Sequence, residues 1–163
     1  MKSLVLSLLL LVAGSAHAAG KDVIRYKLSH SDFPIAQAVE IPAGQGLVFL
    51  SGVGPEVIDK SAPADSSAAY GDMKTQARSA LTTIAANLKS MGLSMKDVVK
   101  MQVFLAGDPA NAGKLDFAGF MDSYRQFFGT PEQPNLPARS AMKVAALVNT
   151  GWLIEIEVTA VRN

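Results

Sequence analysis

Apolar residues along this chain recur at two spacings, and the change of spacing marks the change of element. Met73, Ala77, Ala80, Leu81, Ile84 and Leu88 fall three or four residues apart, the stripe of an amphipathic helix. Asp72 stands at its start, where a carboxylate meets the positive end of the helix dipole, and Gly92 follows where a C-terminal cap belongs. A second stripe of Leu115, Phe117, Phe120, Met121, Tyr124, Phe127 and Phe128 predicts a helix over 115–128, closed by Gly129-Thr130-Pro131. Its aromatics, Tyr124 included, read most simply as core. Between the two stripes, a tight polar connection at 94–97 leads into 98–105, a strand apolar enough to be buried.

The remaining runs are shorter. Residues 23–28 alternate and predict a first strand. Runs 36–41 and 47–53, separated by Pro42-Ala43-Gly44-Gln45-Gly46, predict a hairpin that ends at Gly54-Pro55 and leads into a polar loop over 56–67. Three prolines make 131–137 an extended loop. Runs 139–147 and 152–162 then predict a terminal pair of strands turning at Asn149-Thr150-Gly151. The order of three strands, helix, strand, helix and two strands gives an α+β fold, a mixed six-stranded sheet with two helices packed on one face. The bare face of such a sheet calls for cover, which a homo-oligomer packing sheet on sheet would supply.

Composition changes this picture at the N-terminus. Met1-Lys2-Ser3 is a short positive start, 4–13 is an apolar run too short to span a bilayer, and Ala16-His17-Ala18 fits a small-x-small cleavage site. The expectation is a signal peptide over 1–18, one domain over 19–163, a periplasmic destination and no membrane in the mature form. Cleavage removes one lysine and leaves 14 basic and 14 acidic residues. A neutral chain without a basic block is a poor partner for nucleic acid.

Cysteine is absent, which removes disulfides, thiolate nucleophiles and soft metal sites. With His17 gone, His30 in the polar run Ser29-His30-Ser31-Asp32 is the one imidazole left, too few for a zinc site. Chemistry therefore falls to Arg, Glu, Ser, Tyr, backbone groups and water.

Two charges stand out. Arg139 follows the stiff Pro137-Ala138 and shares a strand face with Ala141 and Lys143, and its planar fork of donors suits a carboxylate. Glu155 and Glu157 share one face of the last strand, and Glu155 is placed to poise a water or shuttle a proton. If the last two strands are neighbours, Arg139 meets one of these acids; the plain alternative is an idle cross-strand ion pair. Ser51-Gly52, ending a strand, offers a hydroxyl and bare backbone to a ligand.

Six segments in this order resemble the reactive intermediate/imine deaminase (RidA, YjgF-type) family over about 33–162. They are Pro34-Ile35-Ala36-Gln37-Ala38-Val39, Leu47-Val48-Phe49-Leu50-Ser51-Gly52, Asp97 through Leu105, Tyr124-Arg125-Gln126-Phe127-Phe128, Pro137-Ala138-Arg139-Ser140 and Ile154-Glu155-Ile156-Glu157. The resemblance implies a chorismate-mutase-like domain assembled as a homotrimer, with pockets in the clefts between subunits. It implies hydrolysis of small enamine/imine carboxylates of the 2-aminoacrylate type to 2-oxo acids and ammonia, without cofactor. In that scheme Arg139 holds the substrate carboxylate, Glu155 and the backbone at Ser51 and Gly52 position the water, and Ala141 lines the pocket. The chain departs from the pattern at Ile35, where the family has tyrosine, and at Met121, where it often has asparagine. Both changes replace hydrogen-bonding groups by apolar ones, and they favour a second reading, a trimer that binds a small metabolite without turning it over.

Overall fold

The computed structural model describes residues 22–162, so the expected signal segment lies outside the described residues. Six strands, β1 (Ile24–Lys27), β2 (Ala36–Glu40), β3 (Gly46–Phe49), β4 (Val98–Leu105), β5 (Ala138–Lys143) and β6 (Ile154–Arg162), form one mixed sheet. Two helices accompany it, α1 (Met73–Ser90) and α2 (Phe117–Tyr124). The α+β architecture is the one the residue pattern predicts. The strand order is β1-β2-β5-β4-β6-β3, with β5 parallel to β2 and β4 and the other pairs antiparallel.

Helix α1 starts where Asp72 accepts a bond from the Thr75 amide at 2.8 Å. It is followed by Gly92 at φ +73°, a conformation that glycine adopts without strain. Its buried stripe of Met73, Ala77, Ala80, Leu81, Ile84 and Leu88 packs with Phe120 and Tyr124 of α2 on one face of the sheet. Met101, Val103 and Leu105 of β4 and Ile154, Ile156 and Val158 of β6 close that core from below. Helix α2 stops at Tyr124 instead of reaching residue 128. The backbone then tightens to three-residue bonds, Gln126 to Ser123 and Phe127 to Tyr124, and Gly129 at φ +75° turns it away. Phe128 still reaches the core, stacked on Tyr124 with ring centroids 5.0 Å apart.

Neither expected strand pair forms. Runs 36–41 and 47–53 are not a hairpin: β2 lies between β1 and β5, while β3 joins β6 at the far edge. The last two strands do not pair either, because β4 separates β5 from β6. The turn at residues 149–152 exists, closed by the Trp152 amide on the Asn149 carbonyl at 3.0 Å, but the strands flanking it part company.

Arg25 of β1 ties the segments that lead into β4 and β5. Its Nη1 donates to the carbonyls of Val98 (2.9 Å) and Leu136 (2.7 Å), and its Nη2 to that of Lys96 (3.0 Å). Burial pulls its pKa below the usual arginine value, against the favourable field of Asp97. Arg25→Ala leaves three carbonyls short of a charged donor and is expected to lower the unfolding free energy by about 2–3 kcal/mol in a urea titration. A loss below about 0.5 kcal/mol, the size of an ordinary surface change, would show the clip to be idle.

Candidate functional site

Register decides where the two candidate charges go. In the β4–β5 ladder Arg139 lies beside Met101 and Ala141 beside Val103; in the β4–β6 ladder Gln102 lies beside Glu157 and Phe104 beside Glu155. Neighbours across a ladder point the same way, so Arg139 and Ala141 face the helices with Met101 and Val103. Glu155 and Glu157 face the opposite, open side with Gln102 and Phe104. The expected meeting of Arg139 with Glu155 or Glu157 within one chain is therefore absent. The strands are two places apart and the side chains lie on opposite faces.

On the helix side the Arg139 guanidinium is half-buried under three rings. Its carbon sits 4.3 Å from the ring centre of Tyr124, 5.0 Å from that of Phe120 and 5.3 Å from that of Phe33. Cation–π attraction of this kind is strongest where water is excluded. Nη1 donates to Met121 Sδ at 3.2 Å, a soft and weak acceptor. The one ion pair among the described residues is the exposed Lys74–Asp122 contact at 3.2 Å, so Arg139 has no carboxylate of its own there. Burial lowers its pKa from the ordinary arginine value, while the Tyr124 phenol acts in the other direction.

Tyr124 is itself fully buried. Its hydroxyl donates to the Pro34 carbonyl at 2.9 Å, tying α2 to the segment before β2, and burial pushes its pKa up to about 12 although Arg139 pulls it down. Met121 is 3% exposed, so the apolar change at this position lies against the guanidinium. Ile35 sits two residues beyond Phe33 and lines a hollow of about 220 Å3 together with Phe33 and Leu136. Ala141 is exposed and puts only a methyl group beside Arg139 on its strand face.

On the open side, β3 leaves the β6 ladder over two residues. Leu50 donates to Val158 and Val53 to Ile156, which leaves the amides of Ser51 and Gly52 out of the ladder as a bulge. The Glu155 side chain lies over Gly52, where a Cβ would overlap its carboxylate. Glu157 instead accepts a bond from Gln102 Nε2 at 2.9 Å, so Glu155 is the freer acid of the two. The structure thus brings Glu155, Ser51 and Gly52 together on one face, and Arg139, Met121 and Ala141 on the other.

Residues 31–162 match the family model described as endoribonuclease L-PSP. The chain belongs to this family, the YjgF/RidA proteins. A RutC family protein of Pyrococcus horikoshii is 36% identical over 127 residues, covering 78% of this chain and 86% of the relative. A Salmonella typhimurium 2-iminobutanoate/2-iminopropanoate deaminase is 37% identical over 91 residues, 56% of this chain. That match, like the one to a Haemophilus influenzae RutC family protein, spans 65% of the relative, just under two thirds of its length. Among solved YjgF/RidA structures, Escherichia coli TdcF with bound serine superposes with a TM-score of 0.55 at 34% identity, covering 80% of this chain and 89% of TdcF.

The roof over Arg139 was not legible as such. Phe120 and Tyr124 fall on a core stripe, and Phe33 lies in a loop; nothing in their spacing marks them as neighbours of a cation. Two consequences can be measured. Gly52→Ala is expected to cost about 1 kcal/mol or less, because only a movable side chain stands in the way, and to swing Glu155 to another rotamer in a crystal structure. A Tm drop beyond about 8 °C would mean the carboxylate is fixed. Tyr124 holds its proton more tightly folded than unfolded, so its contribution to stability is complete below pH 10 and fades as pH rises through about 12. Tyr124→Phe is expected to flatten that alkaline loss in a pH series of melting curves; an unchanged alkaline slope would assign it to other groups.

Proposed function

We propose that this chain hydrolyses small enamine/imine carboxylates to 2-oxo acids and ammonia. The observation that carries the reading is the Arg139 guanidinium, half-buried among Phe33, Phe120 and Tyr124 and without a carboxylate among the described residues. A buried cation lacking its counter-ion is a receptor for an anion. The name of the Salmonella relative and the amino acid bound to TdcF, which carries a carboxylate, support the same class of ligand.

In this reading Arg139 fixes the carboxylate of a 2-imino acid, and Glu155 takes a proton from a water poised by the bulge at Ser51 and Gly52. The water oxygen bonds to the imine carbon while the nitrogen gains a proton. The resulting carbinolamine then breaks its C–N bond, releasing ammonia and leaving the 2-oxo acid. A 2-aminoacrylate first moves a proton from nitrogen to its methylene carbon. No redox partner is needed.

Because Arg139 and Glu155 lie on opposite faces of the sheet, they serve one small substrate only if a second copy supplies one of them. The open face offers apolar surface for that assembly, with Phe49 75% exposed and Leu47, Met142, Ile24 and Tyr26 also exposed. The reading includes a site shared between subunits, and with it the homotrimer and the periplasmic destination expected from the sequence.

The test is direct. Adding the purified protein to enzymatically generated 2-iminopropanoate is expected to raise the rate of pyruvate release. Arg139→Ala is expected to abolish the gain, and Arg139→Lys to retain less than about a tenth, since an ammonium lacks the bidentate fork. Arg139→Ala and Glu155→Gln chains refolded together should recover part of the activity that neither has alone. No acceleration by the unmutated protein would overturn the reading. A second reading, binding without turnover, is favoured by Met121 and Ile35; a 2-oxo acid or amino acid that raises Tm and is recovered unchanged would support it.

A further inference from the structure

We propose that the hollow beside Phe33 is the side-chain subsite of this centre, and that it selects 2-imino acids with bulky apolar side chains, the leucine- and methionine-derived class, over 2-iminopropanoate. This rests on the function proposed above and adds the substrate class. The Phe33 ring joins the two places. The guanidinium carbon of Arg139 lies 5.3 Å from the centre of that ring, and the same residue is one wall of the hollow.

The floor of the hollow is apolar: Leu28, Phe33, Ile35 and Leu136, all half-buried. Its charges, Lys27 and Asp32, are exposed and stand at the rim. A volume of about 220 Å3 is below the range for a drug-sized ligand but has room for on the order of seven heavy atoms at the packing of a liquid. A methyl group would leave most of it to water. An isobutyl or thioether side chain fills it and meets no unpaired polar group on the floor. The guanidinium end continues the same chemistry, with Met121 Sδ at 3.2 Å and three rings around the cation. Each buried methylene is worth about fourfold in affinity. Three additional carbons then predict a preference of tenfold or more.

Imines generated from leucine and from alanine by an amino-acid oxidase provide the test. The expected kcat/KM ratio is at least about ten in favour of the leucine-derived imine. Leu28→Ser, which puts a hydroxyl on the floor, should bring the ratio toward one; a ratio is insensitive to loss of folded protein. Acceleration of both imines with a ratio of one or below overturns the subsite and leaves the proposed function standing. If neither imine is accelerated, the proposed function fails, and melting curves decide the subsite alone. A larger Tm rise with 4-methyl-2-oxopentanoate than with pyruvate at equal concentration supports it, and equal rises overturn it.

Discussion

A guanidinium drawn out of water and given no acid is unfavourable, and the surroundings of Arg139 reduce that cost without removing it. Three aromatic faces attract the cation, a thioether sulfur takes one N–H, and desolvation still lowers its pKa. An internal carboxylate would have stabilised the cation more and closed the site. The ring of Tyr124 is held against it because its hydroxyl is fastened to the Pro34 carbonyl, so the same bond that ties α2 to the segment before β2 also shapes the surroundings of the guanidinium.

Strand β4 divides the chemistry. Its residues alternate between the core, through Met101, Val103 and Leu105, and the open face, through Lys100, Gln102 and Phe104. With β5 on one side and β6 on the other, it imposes both a lateral gap and a change of face between Arg139 and Glu155. The two charges of a single chain thus point apart, and exposed apolar residues lie on the face that carries Glu155. Under the proposed function, assembly and chemistry become the same requirement.

Local signals were legible where local physics decides. The 73–88 stripe with Asp72 and Gly92 gave α1, and β4 runs over 98–105 as its mainly apolar residues suggest. Pairing was not legible, because loop length constrains which strands are joined in sequence and not which are bonded in space. The turn at 149–152 is real, and it connects strands that never touch. Alternation within 139–143 and 154–158 sorted the side chains of each strand correctly into two sets. It left the phase between the strands open, and that phase is what sends Arg139 and Glu155 to opposite sides. The apolar character of Ile35 and Met121 was visible in the sequence; that one lines a hollow and the other touches a guanidinium needed coordinates.

The overlap of Glu155 with the space above Gly52 couples the two positions through space. An acid of that length can lie there only over bare backbone, and a side chain at 52 can appear only once the acid has shortened or turned away. The residue at 52 therefore sets which rotamer the acid at 155 can adopt, and bare backbone there is what lets the carboxylate lie along the bulge.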